Sequence, residues 1–193
     1  MDEGFHLAEL SRKLSNMIRI GNIHAVDAAQ ARAKVALQGD EIITKYLPWI
    51  SGRAGQTATY SAPEVGEQCV LFSPDGETAN GIILYGLFSD LLPAPAESSA
   101  IHRIIFKDGA SISYNHETGD LDIDVKGNVH VAAAASVHIT APEDMSISGN
   151  VNIEGDVAVT GKVTSTGDMI AGGLSLQQHI HTGDDGGDTS AGR

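Results

Sequence analysis

Two histidines near the end of the chain, His179 and His181, have the spacing of a pair of metal ligands. They stand at i and i+2, so on an extended backbone both imidazoles point to the same side. In a monomer, this pattern is typical of two solvated histidines near a terminus. In a trimer, two histidines from each of three chains converge on one axis, and six imidazoles suit an octahedral ion such as iron(II), cobalt or nickel. Such a site has no open position for a substrate and is structural.

Three aspartates follow the histidine pair. Asp184, Asp185 and Asp188 lie in the segment GDDGGDTSAGR, and oxygen ligands near a three-fold axis could hold calcium. The simpler interpretation, a solvated acidic tail, is the one that we favour. Two further histidines, His130 and His138, alternate with apolar neighbours, and we expect them to be surface residues.

The rest of the sequence has no motif for catalysis. It contains neither a G-x-S-x-G nucleophile motif, nor a phosphate-binding G-x-x-x-x-G-K, nor H-E-x-x-H. The only cysteine, Cys69, lies in the apolar run EQCVLF and is predicted to be a buried thiol. We therefore predict that the protein is not an enzyme and has no small-molecule substrate. The other histidines are scattered, at His6, His24, His102 and His116.

Composition narrows the possible partners. The chain has 193 residues and a formal net charge of −13, with 12 Lys+Arg against 25 Asp+Glu. This acidity opposes nucleic acid as a partner, because phosphate binding needs a basic surface. No apolar run approaches the roughly 18 residues that span a bilayer. The last aromatic residue is Tyr114, so the segment after it must pack smaller side chains around a narrow core.

The N-terminal part of the sequence predicts a helix followed by a small barrel. Apolar residues at helical spacing predict an amphipathic helix within residues 1–18 that packs on its own domain. Five short β-type runs between turn residues predict an OB-fold barrel over residues 19–92. The prolines and serines of residues 93–100 are typical of a linker. The apolar positions of the helix are Leu7, Leu10, Leu14 and Met17.

A repeat follows the linker, over residues 101–174. Its first part contains strand-like runs joined by the turns KDG and NHETG, which predicts hairpins. Apolar pairs at i and i+2 then recur every eight residues and later every six, and glycines keep the six-residue interval from Gly149 to Gly173. Such periodicity indicates a β-solenoid or β-helix. The pairs start at residues 121, 129, 137, 145, 151, 157, 163 and 169.

The small side chains of the repeat favour three intertwined chains over one. Each apolar residue contributes about 1.5–3 kcal/mol at best, against about 1–2 kcal/mol for ordering every residue. A single-chain hexapeptide coil needs many regular six-residue units and is the weaker interpretation. We therefore expect an all-β protein with a trimeric triple-stranded β-helix. The change from Val and Ile to Ser165 and Ala171 predicts a taper towards a metal-binding tip at residues 175–193.

The sequence resembles the baseplate assembly protein V, or central tail spike, family of contractile-tailed phages. The resemblance rests on LSNMIRIGNI, PEVGEQCVLFSPDG and FKDGASISYNHETGDLDIDV, on the tapering repeat and on the terminal HIHTGD. It implies a homotrimer with an N-terminal OB domain, a triple-stranded β-helix and one iron ion held at the apex by the residues matching His179 and His181. Gln178 and Thr182 flank this pair, so no additional histidine ligands adjoin it.

The resemblance also implies a mechanical function. In that family the OB domain attaches the spike to the tail hub, and the needle is driven through the host outer membrane when the sheath contracts. The implied location is the tip of the tail baseplate in the virion, after assembly in the host cytoplasm. The implied partners are hub and baseplate proteins and, transiently, the host outer membrane.

Three alternatives remain open at this point. The same spike in a pyocin-like or secretion particle would use the same mechanics. A hexapeptide-repeat trimeric acyltransferase with a catalytic histidine is the alternative among enzymes, and a bound octahedral metal would count against it. A nucleic-acid-binding OB protein with a trimerising tail is opposed by the charge of −13 and would be supported by tight, salt-dependent single-strand binding.

Overall fold

The structure, a computed structural model, describes residues 3–95 and 98–180. Its described part contains one α-helix, and the rest of its regular structure is strands and two short 3-10 turns, so the prediction of a mostly β protein is confirmed. The chain divides into two compact units, residues 1–132 and 133–193. The helix is α1 (Glu3–Met17), and the strands are β1 (Ile18–Asp27), β2 (Arg32–Leu37), β3 (Ile42–Ile43), β4 (Leu47–Pro48), β5 (Gln68–Phe72), β6 (Ile82–Leu87), β7 (Ile101–Ile105), β8 (Ser111–Asn115), β9 (Asp120–Asp124), β10 (Ile170–Ala171) and β11 (Leu174–Ser175).

The first six strands form one antiparallel sheet, and backbone contacts bring its two edges together. Its order is β3-β2-β1-β5-β6, and β4 also pairs with β2. Directly after β4, Trp49 forms a parallel bridge with Ile83 of β6, and the amide of Ile50 donates to the Ile83 carbonyl at 2.8 Å. This arrangement is consistent with an OB domain. Its core is filled by Ile23, Ala33, Val35, Leu37, Leu47, Cys69, Leu71 and Ile83.

Cys69 is fully buried in this core, as its apolar surroundings in the sequence predict. Burial, together with the negative charge of Glu67, raises the pKa of the thiol to about 11. A thiol that stays protonated at neutral pH is a poor nucleophile. Cys69 therefore acts as a core side chain.

Helix α1 is anchored to the barrel at its C-terminal end. The carbonyl of Met17 accepts a hydrogen bond from the amide of Ser73 at 2.8 Å. The backbone of Lys13 lies so close to Gly76 that a Cβ at position 76 would be 2.5 Å from it, so this contact requires glycine. No residue of α1 is buried, however, and its leucines are exposed. The structure therefore differs from the packing that the helical pattern predicts, because α1 meets the barrel on its Lys13 side and not through its apolar side.

Strands β7, β8 and β9 form a second sheet in that order. The register aligns Ile104 with Ile112 and Ile112 with Ile123, so these residues share one face. Arg103, Ser113 and Asp122 are aligned in the same way on the other face, because successive side chains alternate. The sheet thus has one apolar face and one polar face.

Between β9 and β10 the described chain has no strand, from residue 125 to residue 169. The repeat is still visible in the backbone. Gly149 and Gly155, six residues apart, both have a φ of +131°, an angle that side chains with a Cβ rarely adopt. The repeated angle matches the six-residue interval of the sequence, and each of these glycines marks a turn at the same point of its unit.

Candidate functional site

The end of the described chain is a small hairpin that holds the first of the two candidate ligands. Strands β10 and β11 pair with Ile170 opposite Ser175, and Gly172 and Gly173 form the two-residue turn between them. The amide of Leu176 then donates to the carbonyl of Met169 at 2.9 Å. This pairing continues the hairpin past β11 and directs the chain into the segment that carries His179.

Asp168 secures the base of this hairpin. Its carboxylate accepts a hydrogen bond from the amide of Gln177 at 3.2 Å. A hydrogen bond from the Ser175 hydroxyl, together with those from nearby backbone amides, lowers the pKa of Asp168 below its ordinary value. The carboxylate therefore stays ionised in mildly acidic solution and keeps the hairpin closed. No sequence motif pointed to this residue.

His179 is half-buried in the turn after β11. Its amide donates to the carbonyl of Ser175 at 3.0 Å. Its ring Nδ1 lies 3.2 Å from that carbonyl and 3.1 Å from the carbonyl of Leu176. A carbonyl can only accept, so these contacts favour the tautomer with the proton on Nδ1. That tautomer carries its lone pair on Nε2, and a backbone carbonyl on the other ring nitrogen is the usual support of a metal-binding histidine. The chemistry of His179 thus fits a metal ligand.

The second candidate ligand, His181, lies outside the described residues, and so do Asp184, Asp185 and Asp188. Within residues 3–95 and 98–180, no group of three or more His, Cys, Asp or Glu side chains is arranged to hold a metal ion. One chain contributes only two histidines to the expected site. A six-histidine site can therefore form only between chains.

The apolar pairs of the repeat are uncovered in the single chain. From Val129 to Val163 their members are 57–73% exposed. Their backbone forms no strand within the chain, so most of its amides and carbonyls also lack partners of the ladder type. Extended chain with neither buried side chains nor strand pairing cannot offset the cost of its own ordering.

One serine–histidine contact appears in the repeat that the sequence did not suggest. The Ser136 hydroxyl lies 3.1 Å from Nε2 of His138, and both residues are exposed. The two side chains are two residues apart on one side of an extended segment. This explains the contact locally, and at exposed positions the desolvated surroundings that activate a nucleophile are missing.

The barrel domain also matches known proteins. The family model for the OB domain of the type VI secretion system and phage-baseplate injector matches residues 19–88, which include β1 from its second residue and all of β2 to β6. The spike protein of Escherichia phage P2 is 32% identical over 206 residues, which cover 96% of this chain and 97% of that protein. None of the helices in the described residues is long and apolar enough to cross a membrane. The chain belongs to the family of phage baseplate spike proteins.

Proposed function

We propose that the protein is the trimeric, membrane-piercing central spike of a contractile tail, located at the tip of the baseplate in the virion. The observation that carries this proposal is the row of uncovered apolar pairs between Val129 and Val163. Three intertwined chains would bury these pairs around a common axis and would pair the free backbone groups of each chain with those of its neighbours. The spike family and the 32% identity over 96% of the chain support the same assignment.

A shaft of this kind suits a part that is loaded along its axis. Because each strand would bond to strands of other chains, pulling one chain out requires many hydrogen bonds to break together. The side chains between the apolar pairs are mostly polar or acidic, so the outside of the shaft would not adhere to lipid. Piercing then needs stiffness, a narrow point and an external force, and no chemical step.

We further propose that an iron ion closes the tip. His179 and His181 of three chains would hold it through imidazole nitrogens, with the Nδ1 contacts of His179 fixing the ring. The bound ion supplies a cross-link where the apolar axis has ended. The OB domain, in turn, would attach the spike to the tail hub, in keeping with the injector domain that it matches. A secretion or pyocin-like particle would use the same parts.

The test is the mass and metal content of the purified, untagged protein. The expected mass is about 60 kDa, three times the 20.1 kDa of one chain, with one iron ion per three chains. The variant with His179→Ala and His181→Ala should lose the metal and remain trimeric. A monomer would overturn the shaft. A trimer whose metal content is unchanged by the double substitution would overturn the tip assignment alone.

A further inference from the structure

The uncovered apolar surfaces of the barrel domain include two on different elements, and the first lies on α1. Leu7, Leu10 and Leu14 stand on one side of the helix and are 57–68% exposed. They define a leucine stripe. The helix cannot turn this stripe onto its own barrel, because Met17 and Lys13 fix it through Ser73 and Gly76. Residues of this kind on an anchored helix are typical of a surface that another chain covers.

The second surface is the outside of the barrel where β5 lies between β1 and β6. The register forms two apolar rows there, one with Ile18 and Ile82 on either side of Phe72 and one with Ile20 and Leu84 on either side of Val70. The flanking residues of both rows are 38–64% exposed. They define the outer sheet face. The residues that alternate with them, Leu71 and Ile83 among them, form the core.

Strands that are apolar on both faces are typical of sheets that are covered on both sides. In β5 and β6 the inner face is covered by the barrel core, and the outer sheet face is not. Packing the leucine stripe on the outer sheet face would remove both apolar surfaces from water. One chain carries both surfaces and cannot join them to each other, since the anchor described above holds α1 in place.

We infer that in the trimer the leucine stripe of each chain packs on the outer sheet face of the next chain. The inference rests on the proposed trimer. Two unlike surfaces on one chain form a head-to-tail interface, and a three-fold axis closes such an interface into a ring. Three stripes then cover three faces. A shared shaft supports this arrangement, because it holds the three barrels at a high effective concentration.

The test uses cysteine pairs in the full chain with a short bis-maleimide cross-linker. Leu10→Cys combined with Leu84→Cys should give a covalent trimer on a denaturing gel, whereas each single variant should stay a monomer on that gel. Leu14→Cys combined with Ile20→Cys repeats the test at other points of the same surfaces. Ala8→Cys combined with Leu84→Cys is the matched control, because residue 8 lies on another side of the helix. The native Cys69 is buried and should not react.

The outcomes separate this interface from the proposed function. A protein that is trimeric by mass but gives no covalent trimer with either pair would overturn the interface and leave the spike assignment intact. Covalent dimers from Leu10→Cys alone would show that the stripes meet each other, and would also overturn it. A protein that is monomeric by mass would overturn the trimer and the interface together.

Discussion

The substitution Ile153→Ala tests whether the repeat is buried between chains. Ile153 belongs to an apolar pair of the six-residue part of the repeat and is 59% exposed in the single chain. In the proposed shaft it faces the axis, and the exchange removes three carbon atoms from the buried surface. At about 0.8 kcal/mol for each, the loss is about 2.4 kcal/mol per chain and about 7 kcal/mol per trimer.

The neighbouring substitution Asn152→Ala is the matched control. Asn152 alternates with Ile153 and would face solvent in the shaft, so its change should alter the free energy of unfolding by no more than about 0.5 kcal/mol. In a chain that stays single, both residues are exposed, and both substitutions should change the free energy of unfolding by equally small amounts. The difference between the two variants therefore reports burial by other chains.

The measurement is denaturation in guanidinium chloride at several protein concentrations. A trimer unfolds at a denaturant midpoint that rises with concentration, because association contributes to its stability. We expect Ile153→Ala to lower that midpoint clearly and Asn152→Ala to leave it in place. Equal midpoints for the wild type and both variants would refute the reasoning that the apolar pairs line a shared axis.

Three further predictions concern the turns, the tip and the core. Gly155→Ala should destabilise the shaft by about 1–3 kcal/mol per chain because of the φ of +131°, and Gly161→Ala, at a glycine without such an angle, should cost less in the same denaturation assay. His179→Ala alone should lower the iron content measured by elemental analysis, as His181→Ala should. The pKa of Cys69 is about 11 in the folded chain, against 9.0 for an ordinary thiol. Between pH 9 and pH 11 the unfolded chain loses this proton and the folded chain keeps it, so the free energy of unfolding should fall by up to about 3 kcal/mol as the pH rises through this range. The Cys69→Ala variant should lack this fall in pH-dependent denaturation.

The strands of the barrel and of the second sheet could be predicted from local patterns. Short apolar runs between Gly, Pro, Asp and Asn indicated β5 and β6, and the turns KDG and NHETG indicated the hairpins of β7 to β9. These features succeed because strand alternation and turn chemistry depend on neighbours in the sequence. The position of Asp168 at the base of the tip hairpin was missed, because its partners belong to a turn that only the folded hairpin creates.

The helix shows the limit of the same method. The spacing of Leu7, Leu10 and Leu14 indicates correctly that one side of α1 is apolar. The same spacing does not indicate which surface covers that side. The decisive contact is the close approach of Lys13 to Gly76, a pair separated by the whole of β1 to β5. No pattern within the helix encodes that approach.

The barrel and the repeat differ in whether their backbone groups find hydrogen-bond partners within the same chain. Every strand from β1 to β6 finds its partners within the same chain, and the core residues there are buried, so one chain can offset the cost of ordering its barrel. From residue 125 to residue 169 the chain forms no strand with itself and leaves its valines and isoleucines exposed. In the proposed trimer the repeat would therefore depend on other chains for both its hydrogen bonds and its core, and barrels that fold singly would have to meet before the shaft can form.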